Sequence, residues 1–303
     1  MGEIFKRERA AESLRFSGER LTDEATGQIE IEHLHRYFVA RHYCRGKDVL
    51  DIASGEGYGS AYLAQVARSV VGVEIDPNAV AHAAKSYCYP NLRFQTGDAR
   101  HIDLPDASVD VVVSFETLEH FYEHEDFIRE IRRVLRGDGL LIISTPEQDV
   151  YSPTFSSANP FHVRELTKTQ FVGLLQRNFP WVELCFQRPL IGSLIIPETQ
   201  PAKPTGSLFS EKRGPEHFES HDGMARPLYL VAFASAAPQA LASSYVYIEN
   251  SAIASEIVKI NERLKAELQA IYESKSWRIL GPVRFLMRIL RRLTRLISKH
   301  PPT

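Results

Sequence analysis

The sequence has little of what would fix its class at a glance. It holds three cysteines in 303 residues, Cys44, Cys88 and Cys185, scattered without metal-ligand spacing. They are expected as small apolar residues in a reducing compartment, which excludes a disulfide scaffold and a zinc ribbon. No run approaches the roughly 18 apolar residues that span a bilayer. The first ten residues, M-G-E-I-F-K-R-E-R-A, are charged and lack the apolar core of a signal peptide. Gly2 is not followed by Ser or Thr at position 6, as N-myristoylation requires, but by Lys6. A cytoplasmic location is therefore expected. Net charge is also scarce, at −2, and by itself argues neither for nor against nucleic acid. That balance hides an asymmetry: from Trp277 onward there are seven basic residues and no acidic one, leaving −9 on residues 1–276. A basic tail on an acidic body points to an anionic partner for the tail.

What is present is alternation. After a helical lead-in over residues 1–44, with Ile31, Leu34 and Phe38 at helical spacing, strands are expected at Lys47–Ile52, Ser69–Ile75, Leu92–Gly97, Val109–Phe115 and Gly139–Ser144. Helices fall between them at Gly57–Ala67, at Pro77 to about Ser86, where proline suits the first turn, and at Asp126–Arg136. A further helix, Thr167–Arg177, and strands Trp181–Gln187 and Leu228–Ala234 complete the pattern. It predicts an α/β fold, doubly wound, with a mainly parallel sheet over residues 45–235. Residues 191–226 carry four prolines without a convincing period and are expected to form a lid loop.

Ligands of such sheets bind outside the carboxyl ends of the strands. Gly55, Gly57 and Gly59 follow the first strand at alternate positions, where glycine permits positive φ and close approach to a ligand at a helix N-terminus. A tight turn with no ligand would explain the glycines equally well. Glu74 ends the second strand nineteen residues after Gly55, suited to accept hydrogen bonds from ribose hydroxyls, and Asp98 follows the third strand, placed to contact an adenine. Together these three strand ends describe an adenosine site. A dinucleotide fingerprint would need Gly or Ala where Ser60 stands.

At this point the chain resembles the class I S-adenosylmethionine-dependent methyltransferases. The resemblance rests on V-L-D-I-A-S-G-E-G-Y-G at 49–59, G-V-E-I-D-P-N-A-V at 72–80, G-D-A-R at 97–100 and D-V-V-V-S-F-E-T-L-E-H at 110–120. Ala53 departs from the glycine most members carry. The resemblance implies a seven-stranded Rossmann-like sheet and S-adenosyl-L-methionine as cofactor. Glu74 would lie at the ribose, Asp98 and Ala99 at the adenine, and Asp51, Ala53, Gly55 and Gly57 along the methionine part, with Ile75 also at the cofactor. Upstream, F-S-G-E-R-L at 16–21 and I-E-H-L-H-R-Y at 31–37 are similar to segments of methyltransferases from bacterial surface-polysaccharide (O-antigen) clusters. There Arg20 and Arg36 would pair with the cofactor carboxylate, or serve as surface residues.

A sugar hydroxyl has a pKa far above neutrality, so its methylation gains from a general base. Glu116 and His120, four apart after the fourth strand, are the candidates, on one face of an expected helical turn. The alternatives are a packing role for His120 and a cofactor contact for Glu116. His162 and Arg164 are candidate binders of sugar hydroxyls or phosphate, or else anchors of their loop. No metal site is expected.

Residues 236–275 are expected to hold a linker and a short coiled coil, with Ile253, Ile257, Ile260, Leu264 and Ile271 near a heptad seam that would allow a homo-oligomer. Over 276–303, Val283, Leu286, Leu290, Leu293 and Ile297 line one face, and Arg284, Arg288, Arg291, Arg295 and Lys299 another. An apolar stripe beside a cationic one fits a helix lying on an anionic membrane through residues 277–299, with docking on a protein as the alternative and nucleic acid disfavoured. The S-x-S-W-R pattern from Ser274 is similar to tails of surface-glycan enzymes. The combined expectation is a methyltransferase peripherally attached to the inner membrane, acting on a sugar or sugar phosphate of a lipid-linked polysaccharide. Methylation of a membrane-soluble small molecule such as a quinone precursor, and a non-catalytic scaffold for glycan enzymes, are the rivals.

Overall fold

The computed structural model describes residues 28–154, 161–190, 208–213, 216–242, 244–248, 263–265 and 267–271. By contact, the chain divides into residues 1–246 and residues 247–303.

In the first unit, helix α1 (Gln28–Cys44) leads into β1 (Asp48–Ile52). Then follow α2 (Tyr58–Ala64), β2 (Ser69–Glu74), α3 (Pro77–Ser86), β3 (Leu92–Thr96) and β4 (Val109–Phe115). A 3-10 turn (Leu118–His120), α4 (His124–Val134), β5 (Leu135–Pro146), α5 (Gln148–Thr154), α6 (Lys168–Gln176) and β6 (Trp181–Gln187) come next, and β9 (Tyr229–Ser235) closes the sheet. Seven strands form one sheet in the order β3-β2-β1-β4-β5-β9-β6, parallel except for β9, which runs antiparallel to both its neighbours. The expected doubly wound, mainly parallel sheet is thus present. Strand order reverses between β1 and β4, which opens a crevice beyond their carboxyl ends.

Strands β1, β2 and β4 are Val- and Ile-rich and buried on both faces, as a sheet covered by helices on each side demands. One core, containing Phe127, Ile131, Phe171 and Leu175, packs α4 and α6 on one face. The other, containing Tyr37, Ala40, Tyr58 and Leu63, packs α1 and α2 on the opposite face. The proline at the start of α3 follows Asp76, whose side chain accepts a hydrogen bond from the Asn78 amide at 2.9 Å and so caps the helix. Helix α6 starts with a capping box formed by Thr167 and Gln170.

The expected lid is in part regular. Strands β7 (Leu208–Lys212) and β8 (Phe218–Asp222) pair as an antiparallel hairpin outside the main sheet. Their side chains alternate exposed and half-buried, with little core to pack on, so the composition of the segment masks the period. Residues 191–207 lie outside the described residues.

In the second unit, 263–265 and 267–271 are helical, with Arg263 and Glu267 paired at 3.0 Å. Leu264, Leu268 and Ile271 are exposed on this helix. The rest of the expected seam and the whole of 276–303 lie outside the described residues, as does Arg20. No described helix is long and apolar enough to cross a membrane.

Candidate functional site

The chain leaves β1 through a loop with three left-handed residues, Ala53 (φ 57°), Gly55 (φ 56°) and Gly57 (φ 88°). Left-handed backbone costs an alanine roughly 1 kcal/mol that glycine avoids, so Ala53 carries strain at the position where glycine is the usual residue of the resembled motif. Gly57 is needed twice over: a Cβ there would stand 2.6 Å from Ala83 Cβ and 2.8 Å from the Phe94 ring. Gly59 has a different task. Its Cβ would fall 2.0 Å from Tyr37 Cζ, so this glycine seats α1 against α2.

The loop is fixed to the end of β2. The Gly55 amide donates to Glu74 Oε2 at 2.9 Å, and the Asp76 amide donates to Glu74 Oε1 at 3.2 Å. Glu74 is buried. Ile75, the next residue, is 64% exposed, which is unusual for isoleucine and presents an apolar face at the strand end. Asp98 follows β3; Arg100 reaches it through Nε at 2.9 Å and Nη2 at 2.7 Å and holds its carboxyl below the usual range. Ala99 packs against the core beside it.

Asp51 is fully buried. It accepts from Ser60 Oγ at 2.6 Å and from the Tyr37 hydroxyl at 3.2 Å, supporting the loop from within. Burial pushes its carboxyl up to about 7.

A second group of side chains gathers at the ends of β4 and β5. Glu116 takes a left-handed φ of 51° and accepts from Ser144 Oγ at 2.6 Å. Arg36 reaches it from α1, with Nη1 3.2 Å from Glu116 Oε1. This Arg36 is almost wholly buried: Nε donates to Gln187 Oε1 at 2.6 Å and the guanidinium carbon sits 4.4 Å from the Tyr229 ring centroid. It is therefore no surface residue. The shared helical turn expected of Glu116 and His120 is absent, because the left-handed Glu116 separates β4 from a 3-10 turn that holds only Leu118–His120.

His120 Nδ1 lies 3.2 Å from the Phe161 carbonyl, and its ring meets that of His162 edge-on at 5.4 Å. His162 Nδ1 lies 2.7 Å from Glu165 Oε1, and its ring stacks on Tyr151 at 5.6 Å. Arg164 is exposed, and its amide donates to the Glu119 carbonyl at 3.0 Å.

The sequence reading passed over Glu119. It is 1% exposed, accepts from Thr145 Oγ1 at 3.2 Å through Oε2, and has no hydrogen-bond partner at Oε1. Burial and the nearby Glu116 raise its carboxyl well above the usual range. Gln187, Tyr229 and Glu165 were missed as well. Glu119 lay inside a quoted motif and Glu165 stands three residues after His162, whereas Gln187 and Tyr229 are brought to Arg36 by the fold from distant segments.

Near this site, Ser54 Oγ in the loop and Arg36 Nη2 are also among the buried polar atoms without a hydrogen-bond partner. Unpaired buried donors and acceptors are rare and costly, so such a set beside a crevice marks a place where a ligand completes the pairing. The buried Glu74 carboxylate, the apolar face at Ile75 and the Arg36 guanidinium, paired with Glu116 through Nη1 but with Nη2 lacking a partner, fit a ribose, a flat apolar base and a carboxylate respectively.

Residues 50–143 match the family described as a methyltransferase domain. The chain is 41% identical over 177 residues to a protein of Mycobacterium tuberculosis named as a probable S-adenosylmethionine-dependent methyltransferase, covering 54% of this chain and 63% of that one. A protein of Mycolicibacterium smegmatis with the same description is 43% identical over 136 residues, 45% of this chain and 52% of the relative. The fatty-acid O-methyltransferase of the same species is 29% identical over 133 residues, covering 40% and 48%. The chain thus spans less than two thirds of the length of these relatives.

Proposed function

We propose that this protein is an S-adenosylmethionine-dependent methyltransferase that transfers the methyl group to an oxygen of its acceptor. The observation that carries the reading is the strand-end crevice in which the Gly55 amide and Glu74 are locked together at 2.9 Å. It lies within the stretch that matches a methyltransferase domain. When bound, the cofactor supplies an electrophilic methyl group on a sulfonium, so the protein has mainly to bind, orient and exclude water. Glu74 accepts the ribose hydroxyls, Ile75 and Ala99 flank the adenine with Asp98 at its edge, and the backbone of Ala53–Gly57 follows the methionine portion. Arg36, held against Glu116 and Tyr229, offers Nη2 to the cofactor carboxylate. The acceptor enters on the side of Glu116, His120 and His162.

For the acceptor, the cationic and apolar stripes of 277–299 support a substrate held at an anionic membrane. A sugar or sugar phosphate on a lipid carrier is the reading that the tail and its S-x-S-W-R pattern favour. A lipid hydroxyl or carboxyl is the second, favoured by the likeness to a fatty-acid O-methyltransferase. The test is transfer of radiolabel from methyl-labelled S-adenosylmethionine to extracts of source membranes. Label in a lipid-linked glycan that glycosidase releases supports the first acceptor, and label that stays with acyl chains the second. No label in any fraction, with the cofactor bound, would overturn the assignment as a transferase.

A further inference from the structure

The Glu119, His120 and His162 side chains form a constellation that the methyl-transfer reading alone leaves unexplained. Their candidate ligand atoms all lie within 4.8 Å of one another. They come from two segments, and the backbone ties those segments together: the amides of Val163 and Arg164 donate to the Glu119 carbonyl at 2.8 and 3.0 Å. His162 is therefore delivered to the 3-10 turn that carries the other two. The arrangement is built before any ligand arrives.

The hydrogen bonds fix which atoms face one another chemically. A carbonyl oxygen can only accept, so the 3.2 Å contact to Phe161 O places the proton of His120 on Nδ1. The Glu165 carboxylate does the same for His162 Nδ1 at 2.7 Å, and Ser152 Oγ in turn donates to Glu165 Oε2 at 2.5 Å. With Nδ1 donating, the coordinating lone pair of each ring is on Nε2. A histidine whose other nitrogen is held by a carboxylate or a backbone carbonyl is the usual arrangement of a metal-ligating imidazole, since it sets both tautomer and ring angle. The third group supplies independent support. Glu119 is 1% exposed, and its Oε1 has no partner. A buried carboxylate oxygen left unpaired beside two oriented imidazoles is a ligand position lacking only its cation.

We infer that Glu119, His120 and His162 bind one divalent transition-metal ion. Two imidazoles and one carboxylate suit zinc, manganese, cobalt or iron(II) and not calcium or magnesium, which take oxygen ligands. Bonds of about 2.0–2.2 Å would draw the three ligand atoms together from their present spacing. Three protein ligands leave the ion open positions, as in catalytic metal sites. On the reading above, an acceptor hydroxyl takes one of them, its proton passes to solvent, and its oxygen forms the O–CH3 bond as the S–CH3 bond breaks with its electrons returning to sulfur. His120 then acts as a ligand and not as the general base.

The experiment uses the full, untagged chain treated with a chelator and titrated with cobalt(II) under anaerobic conditions, read by visible absorption, with bound zinc counted by elemental analysis. One ion per chain is expected, displaced by zinc. His120→Ala and His162→Ala should each weaken binding at least 100-fold, while Glu165→Gln, which touches His162 and not the ion, should weaken it about 10- to 100-fold. Thermal melting and S-adenosylmethionine binding, measured on the same variants, should stay near those of the parent. That separates loss of the metal site from misfolding and from failure of the cofactor reading. Cobalt uptake unchanged in the two histidine variants, or no uptake by the parent chain, would overturn the site.

Discussion

The two edges of the central sheet treat charge in opposite ways. At the amino ends of β1 and β4, Asp48 and Asp110 are saturated: Arg68 reaches them at 2.5 and 2.9 Å, and Arg136 at 3.0 and 2.6 Å. At the carboxyl ends the charges are more deeply buried and less completely paired. Arg36 Nη2, Ser54 Oγ and Glu119 Oε1 lack partners, and Glu116 and Ala53 occupy left-handed backbone. An edge whose charges satisfy one another serves stability. An edge that keeps spare donors, acceptors and strain is arranged for something that arrives later.

Variants can break or sharpen that contrast. The largest effect is expected from Glu74→Ala, which removes the charged acceptor and frees the Gly55 amide. Two charge-assisted hydrogen bonds at roughly 1.5 kcal/mol each predict about 3 kcal/mol, or a hundredfold or more in cofactor affinity by calorimetry, and the freed Gly55 and Asp76 amides should also lower the melting temperature. Gly59→Ala should do the reverse. Its Cβ collides with Tyr37, so denaturant unfolding should show a loss of about 1–3 kcal/mol. Any cofactor affinity lost should be recovered where the variant is folded.

Asp51 supplies a test by pH. Its carboxyl is raised to about 7 in the folded protein against an ordinary value of 3.8. Between those two values the folded state keeps a proton that the unfolded chain has released. Stability of the cofactor-free protein should therefore fall as pH rises from about 4 to about 7. Asp51→Asn, still able to meet Ser60 and Tyr37, should flatten this part of a melting-versus-pH profile. An unchanged slope would mean that other groups set it.

At the opposite edge, Asp48→Asn removes one charge whose arginine partners are partly solvated, Arg68 being 57% and Arg136 35% exposed. About 1 kcal/mol of stability is expected, weakened further by salt, with cofactor affinity untouched. The smallest effect is Ala53→Gly: relief of left-handed strain, offset by glycine's entropy, predicts a gain of about 0.5 kcal/mol in denaturant melts.

The contrast also explains what was legible in the sequence. Strand Val109–Phe115 has the bounds its apolar run predicts, because burial on both faces leaves a continuous signal, and the edge strand Trp181–Gln187 also has its expected bounds. The glycine loop and Glu74 were legible too, since the link between them is a fixed chain distance in a β-α-β unit. The hairpin Leu208–Lys212 with Phe218–Asp222 was not, because strands with no large core to cover carry little pattern. Nor was the Arg36–Glu116 pair, or the meeting of Glu32 with Tyr229 at 2.8 Å, which span 80 and 197 residues. Glu119 shows a third kind of difficulty. A glutamate beside a histidine reads as surface chemistry, and only the fold reveals that its side chain is buried.

The central claim is that the crevice beyond β1 and β2 is a cofactor site for S-adenosylmethionine. Calorimetric titration of the full chain with S-adenosylmethionine tests it most directly, set beside Glu74→Ala and Asp48→Asn. The account predicts one site per chain, binding retained by Asp48→Asn and lost by Glu74→Ala while both variants melt as folded proteins. No binding by the parent chain, or equal binding by a folded Glu74→Ala, would contradict it.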